Sequence, residues 1–156
     1  MPKTIVLNEF ATVTGSVFCD VKSIRENFKS QQDQMIKAFE LAKSKLKVDD
    51  VKIHFRNIRK SKDVVHKGQY CANTKTIEID CKEFDLKTKV ETIIHEMTHA
   101  KQWQDKKLAM KGQKYLFDKK TYAKPKTHEE YLELPWEVEA RQTAKKHLAS
   151  IMKEIA

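Results

Sequence analysis

Three side chains that bind metals or move protons lie within five consecutive residues, His95-Glu96-Met97-Thr98-His99. On a helix, residues four apart lie one turn apart on one face, so both imidazoles can reach a single zinc ion. Glu96 projects about 100° away from His95, where it can contact a water activated by the metal without binding the metal itself. The pattern predicts a hydrolytic zinc site, with His95 and His99 as ligands and Glu96 as general base.

A catalytic zinc site has three protein ligands, so a third donor is required. Glu137 is the predicted donor, because it begins a small and apolar face of a helix predicted over 135–154. A carboxylate on such a packing face is costly to bury unless a cation meets it, although the dipole of the helix N-terminus also favours an acid there. Two alternatives remain: Glu139, which points roughly 200° away from Glu137, and His128, which lies 29 residues beyond His99.

The element that must position the histidines is a helix predicted over 86–105, with Asp85 as its N-cap. Its apolar residues recur at helical spacing and form one stripe, with the two histidines beside it: Val90, Ile93, Ile94, Met97 and Ala100. The stripe is expected to anchor the helix in the core while the histidines line a cleft.

The other elements are predicted from hydrophobic periodicity and turn residues. They are a short strand or loop arm over 1–20, a long amphipathic helix over 23–46 that begins at a capping box of Ser23 and Glu26, a strand over 51–56, a polar loop or hairpin arm over 57–67, and a hairpin of 68–71 with 76–80. A strand directly before the zinc helix can hydrogen-bond an extended substrate through its edge.

Residues 106–133 are polar and rich in lysine, and they are predicted to form a long loop with at most one short helix. A loop of this length in a small domain is usually functional or mobile, so it is a candidate lid over the cleft. Four residues in or near it are candidates to stabilise the oxyanion of a peptidase transition state: Tyr131, Tyr122, His128 and Arg141.

Composition limits the function classes. The 156 residues suit a single domain with one core, here predicted over 1–156. A net charge of +9 permits binding to nucleic acid, but the lysines are distributed along the chain and no nucleic-acid-binding motif is present. A basic solvated surface is therefore favoured over a nucleic-acid partner.

Cysteine usage and apolar runs indicate the compartment. Cys19, Cys71 and Cys81 show no metal-binding spacing, and an odd number of cysteines without a leader favours a reducing environment. No segment approaches the roughly 18 apolar residues that span a bilayer. The expectation is a cytoplasmic protein of a bacterial or phage-infected cell, without a membrane partner.

Two segments together resemble the gluzincin metallopeptidases, and most closely the small phage and bacterial proteins related to the ImmA/IrrE group. They are residues 95–100, HEMTHA, and residues 134–141, LPWEVEAR. That group carries Glu followed by Ala three and seven residues later, matched here by Glu137, Ala140 and Ala144. Arg141 stands where the group usually has Asn or Asp, and Thr143 where it often has Phe.

The resemblance covers about residues 68–150 and implies a fold, an activity and a cofactor. The fold is a minimal zincin-like α+β domain, with helices on a small twisted sheet and a cleft between sheet edge and zinc helix. The activity is that of a Zn²⁺-dependent peptidase acting on a protein or peptide substrate. Two other functions remain open: a catalytically silent zinc-binding regulatory protein, and a SprT-like protease acting on DNA-bound proteins.

Overall fold

The computed structural model describes residues 10–14, 17–20, 26–56, 67–80 and 85–156. Within these residues the chain forms a five-stranded sheet, a separate three-stranded sheet and four helices. In chain order they are β1 (Phe10–Thr14), β2 (Val17–Asp20), α1 (Glu26–Lys45), β3 (Lys52–Arg56), β4 (Gly68–Cys71), β5 (Thr76–Asp80), α2 (Leu86–Gln104), β6 (Leu108–Lys111), β7 (Lys114–Phe117), β8 (Lys120–Tyr122), α3 (His128–Glu133) and α4 (Pro135–Ile155). The predicted α+β class is confirmed.

The five-stranded sheet has the order β1-β2-β3-β5-β4, which leaves β4 at an edge. Strands β2, β3 and β5 run parallel, whereas β1 and β4 are antiparallel to their neighbours. Ile53 pairs with Ile77 and Phe55 pairs with Ile79, and all four side chains are buried. Their period of two places the apolar side chains on one face, against the helices.

Helix α2 is the central helix, because it contacts α1, α4 and strands β4 and β5. Its predicted stripe is buried from Val90 to Ala100. Asp85 is the N-cap, accepting a hydrogen bond from the Thr88 amide at 2.8 Å. Helix α4 packs along α2 through Ala140 and Ala144, which are buried and small enough for close approach of the two backbones.

The segment 106–133 corrects the expectation of a long loop. It contains the antiparallel sheet β6-β7-β8 and the short helix α3. Apolar residues lie along these short strands, and lysines lie at the turns between them. Gly112 supplies the positive φ of 62° in the first turn. Leu108 and Phe117 pair across β6 and β7 and are buried, so this sheet has its own small core. A role for the segment as a lid stays a prediction.

The other predicted elements agree with the structure to within a few residues. The helices expected over 23–46, 86–105 and 135–154 correspond to α1, α2 and α4, and the predicted hairpin is β4 with β5. Ser23 of the predicted capping box, residues 57–66 of the polar segment, residues 1–9 of the arm and Cys81 lie outside the described residues. In the part of the chain that the structure describes, no helix is both long enough and apolar enough to cross a membrane.

Gly68 is predicted to be essential for the close packing of β4 on α2. A Cβ atom at this position would lie 2.7 Å from the Glu78 carbonyl oxygen and 2.8 Å from Thr92 Cγ2. Because overpacking of this kind costs about 1–3 kcal/mol, Gly68→Ala should lower the free energy of unfolding by that amount in denaturant titrations. The exposed Lys52 on β3 of the same sheet is the control, since Lys52→Ala should cost about 0.5 kcal/mol or less. Equal stability of Gly68→Ala and the wild type would contradict this packing argument.

Candidate metal centre

Three side chains from two helices converge at the contact between α2 and α4. His95 Nε2 lies 3.2 Å from Glu137 Oε1, and His99 Nε2 lies 2.8 Å from Glu137 Oε2. The two imidazoles meet edge to face, with ring centroids 4.9 Å apart. Donor atoms of all three residues lie within 4.8 Å of one another, so the group could hold a metal ion.

The orientation of His99 is fixed by a chain of buried polar contacts. Gln102, which is 2% exposed, places its Oε1 atom 2.8 Å from His99 Nδ1. Its amide nitrogen donates hydrogen bonds to Glu139 at 3.0 Å and to the Trp136 carbonyl at 3.1 Å. These donations leave the Gln102 oxygen to accept a hydrogen bond from His99 Nδ1, so Nε2 is the nitrogen that could bind a metal once it loses its proton. Contacts of this kind orient metal-binding histidines.

His99 Nε2 lies in surroundings that suit a metal-binding nitrogen. This nitrogen is buried and has no hydrogen-bond partner, although Glu137 Oε2 lies 2.8 Å away. A buried nitrogen without a hydrogen bond is costly unless another group satisfies it. A cation between the two imidazoles and the carboxylate would satisfy it, and would also neutralise Glu137, which is 4% exposed.

The three groups strongly affect one another's ionisation. Burial alone would raise the pKa of Glu137, but contacts with the two histidines outweigh burial and lower that pKa to about 2. Burial alone would lower the pKa of His99, but the nearby carboxylates of Glu137 and Glu96 raise it to about 9. For Glu96, burial is the largest effect and raises the pKa, although the two histidines oppose it. The site therefore combines a strongly ionised carboxylate with one that holds protons more readily.

The position of Glu137 depends on the packing of its neighbour Trp136 on the small sheet. The sequence analysis did not predict this packing. Trp136 is buried and packs against three aromatic rings of the small sheet, at centroid distances of 5.1–5.6 Å. The three rings are Tyr115, Phe117 and Tyr122. Because α4 begins at Pro135, this cluster holds the first turn of α4, which carries Glu137, against α2. Aromatic residues at alternate positions in 115–117 were the available signal.

A cleft of about 580 Å³ opens beside the three residues. Its walls come from the edge of the large sheet, from α2 and from α3 with the start of α4, and the lining residues include Gly68, Thr92, His95, Glu96, Tyr131, Glu137 and Arg141. Burial and the carboxylates of Glu137 and Glu96 raise the pKa of the Tyr131 hydroxyl, which therefore stays protonated. The cleft thus brings a protonated hydroxyl and a buried carboxylate close to the three-residue group.

The alternative third ligands take other positions. Glu139 accepts hydrogen bonds from Gln102 and from Lys107, whose Nζ atom lies 2.5 Å away, so it supports His99 from behind. His128 is exposed and stacks on Tyr131, with ring centroids 6.1 Å apart. Neither belongs to the group that could hold a metal ion.

The four candidates for stabilising the oxyanion lie in two different places. Tyr131, His128 and Arg141 line the cleft, whereas Tyr122 packs on Trp136 in the small sheet. Arg141 donates to the Leu132 carbonyl at 2.5 Å and does not pair with Glu137 within the described residues.

Comparisons with protein-family models, with curated proteins and with solved structures found no match.

In the metal-free protein, stability should depend on pH through His99. Its pKa is raised from 6.5 to about 9 in the folded protein. Protonated His99 therefore stabilises the fold fully below about pH 6.5, and this stabilisation is lost as the pH rises through about 9. After chelation, the free energy of unfolding should fall by about 1–3 kcal/mol over this window, since one pKa unit corresponds to about 1.4 kcal/mol. Urea titrations at several pH values measure it. His99→Gln should not show this fall, and an equal fall in both proteins would contradict the assignment.

Proposed function

We propose that the protein is a zinc-dependent peptidase. The observation that carries the proposal is the convergence of His95, His99 and Glu137 beside a cleft whose wall contains Glu96. Two imidazole nitrogens and one carboxylate oxygen are a donor set typical of catalytic zinc, which keeps a further position for water or substrate. The HExxH segment and the glutamate of α4 support the same identity for the metal.

Zinc, when bound by these three residues, would polarise the scissile carbonyl and lower the pKa of a coordinated water to about 7. Glu96 is then the proton carrier. Its carboxylate accepts a proton from the attacking water and passes that proton to the leaving amine. Burial raises the pKa of Glu96, which makes its carboxylate a stronger base than an exposed glutamate.

Tyr131 is the proposed second donor to the oxyanion. Its hydroxyl stays protonated, and Tyr131 lines the same cleft as Glu137. A donor already next to a metal ligand has only a short distance to turn towards a substrate oxygen. His128 stacks on the Tyr131 ring, so it is better suited to position the tyrosine than to replace it.

The edge of the large sheet supports a peptide as the substrate. Strand β4 ends the sheet, and Lys67 and Gly68 at its start line the cleft. An extended peptide can add to such an edge through backbone hydrogen bonds, with little dependence on its side chains. This arrangement suits cleavage within an extended segment of a protein chain.

Glu96→Gln is expected to abolish peptide cleavage while zinc binding persists. The amide cannot accept the proton of the attacking water, and general bases contribute about 10²–10⁴-fold to rate. Cleavage of an unfolded protein substrate, followed by mass spectrometry with zinc content measured in parallel, tests both statements. The matched control is Glu40→Gln on α1, an exposed glutamate outside the cleft.

Three results distinguish the possible functions. Retained cleavage in the zinc-loaded Glu96→Gln protein would rule out this mechanism. Zinc binding by the wild type without cleavage of any substrate tested would instead favour a zinc-binding regulatory protein. Loss of both zinc and cleavage in Glu96→Gln would make Glu96 a residue that maintains the site.

A further inference from the structure

The positive charge of the chain is concentrated on the three-stranded sheet and on the residues directly before and after it. Residues 106–126 contain eight lysines and one acidic residue, Asp118, whereas the rest of the chain has 23 Lys and Arg against 21 Asp and Glu. Lysines occur along the whole sequence, but elsewhere acidic residues balance them. The net charge of +9 is therefore mainly a property of this sheet and its connections.

Seven of these eight lysines are exposed and unpaired. Lys107 is the exception, because its ammonium group contacts Glu139 at 2.5 Å and Asp118 at 3.9 Å. The other ammonium groups form no ion pair with a carboxylate in the described ranges. They belong to Lys106, Lys111, Lys114, Lys119, Lys120, Lys124 and Lys126. Their charges are therefore available to an outside partner.

The fold brings these lysines together at a cost. Lys111 lies directly opposite Lys114 across β6 and β7, and like charges in such cross-strand pairs are destabilising. Lys119 has a φ of 69° in the turn between β7 and β8, a conformation that favours glycine or asparagine. A bound polyanion would offset the mutual repulsion of the ammonium groups.

We infer that the three-stranded sheet β6-β7-β8 binds nucleic acid through its phosphate backbone. Duplex DNA carries one negative charge per about 1.7 Å of its axis, so the cross-strand pair Lys111 and Lys114, on strands about 4.8 Å apart, can meet neighbouring phosphates. The lysines of the second turn and of the flanking segments can add further phosphate contacts. Residues 106–126 contain no arginine. Lysine is a point charge without the planar fork that reads guanine, so the binding is expected to be independent of base sequence.

The surface suits a nucleic acid better than an anionic membrane. Binding in the membrane interface requires an apolar side to insert between lipids. Within the described part of this sheet, Met110 is the large apolar side chain that is exposed, at 43%, while the aromatic rings are turned inward towards Trp136. A single methionine among lysines offers little to insert.

The nucleic acid is a docking partner and not a substrate of the cleft. Helix α3, which lines the cleft, carries the exposed acidic residues Glu129, Glu130 and Glu133. Together with Glu91, Glu96 and Glu137, which line the cleft, these charges disfavour phosphates there. The inference does not depend on peptidase activity, because docking involves none of the metal-binding residues.

The test is fluorescence anisotropy of a labelled DNA duplex of roughly 25 base pairs, titrated with the full chain from about 50 to 200 mM salt. The variant Lys111→Glu/Lys114→Glu/Lys120→Glu removes charge from the sheet. Its matched control, Lys37→Glu/Lys146→Glu/Lys153→Glu, makes the same change in net charge at exposed positions on α1 and α4.

The sheet variant should bind at least about tenfold more weakly, and its slope of log K against log salt should be smaller by about 2–3, since each phosphate contact contributes about 0.9. The control should stay within about threefold of the wild type. If the sheet variant does not fold, as judged by thermal unfolding, Lys111→Gln/Lys114→Gln/Lys120→Gln should show the same direction of change.

Three results would overturn the inference. They are wild-type protein that does not bind the duplex at low salt, equal weakening in the sheet variant and the control, and binding to phosphatidylserine vesicles in place of DNA. The last result would assign the sheet to a membrane surface.

Discussion

The contact between the Glu137 carboxylate and the two imidazoles of α2 is the interaction on which the arrangement of the helices depends. Glu137 is 4% exposed and begins the face of α4 that packs along α2. A buried carboxylate is costly unless positive charge or hydrogen bonds meet it. The histidines meet it from one side, and they can do so only because Ala140 and Ala144 allow the helices to approach closely.

The rest of the structure holds the two helices in this relation. Gly68 lets the edge strand lie against α2 without a side chain between them. On the far side, the aromatic cluster around Trp136 anchors the first turn of α4. Glu139 and Lys107 connect that turn, through Gln102, to the back of His99. The small sheet thus supports the candidate metal centre from its aromatic face, while Lys111 and Lys114 lie on its other face.

The sequence predicted most of the site because the relevant spacings are local. A period of four places the two histidines on one helical face, and the glutamate that starts the alanine face is costly to bury alone. Contacts between residues distant in the sequence could not be predicted in this way. The turn at Asp118-Lys119 lacks the usual glycine, so the hairpin of β7 and β8 has no recognisable turn signal in the sequence. The hydrogen bonds of Gln102 to Trp136 and Glu139 depend on the packing of α4 on α2, which no local pattern encodes.

The central claim is that His95, His99 and Glu137 bind zinc together, and metal stoichiometry tests it most directly. Wild-type protein, Glu137→Ala and Glu139→Ala would be saturated with zinc, dialysed, and assayed for bound metal by mass spectrometry. The account predicts about one zinc per chain in the wild type, almost none in Glu137→Ala, and binding in Glu139→Ala with weakened affinity, because Glu139 only supports His99 through Gln102. Zinc bound by Glu137→Ala with the affinity of the wild type would contradict it.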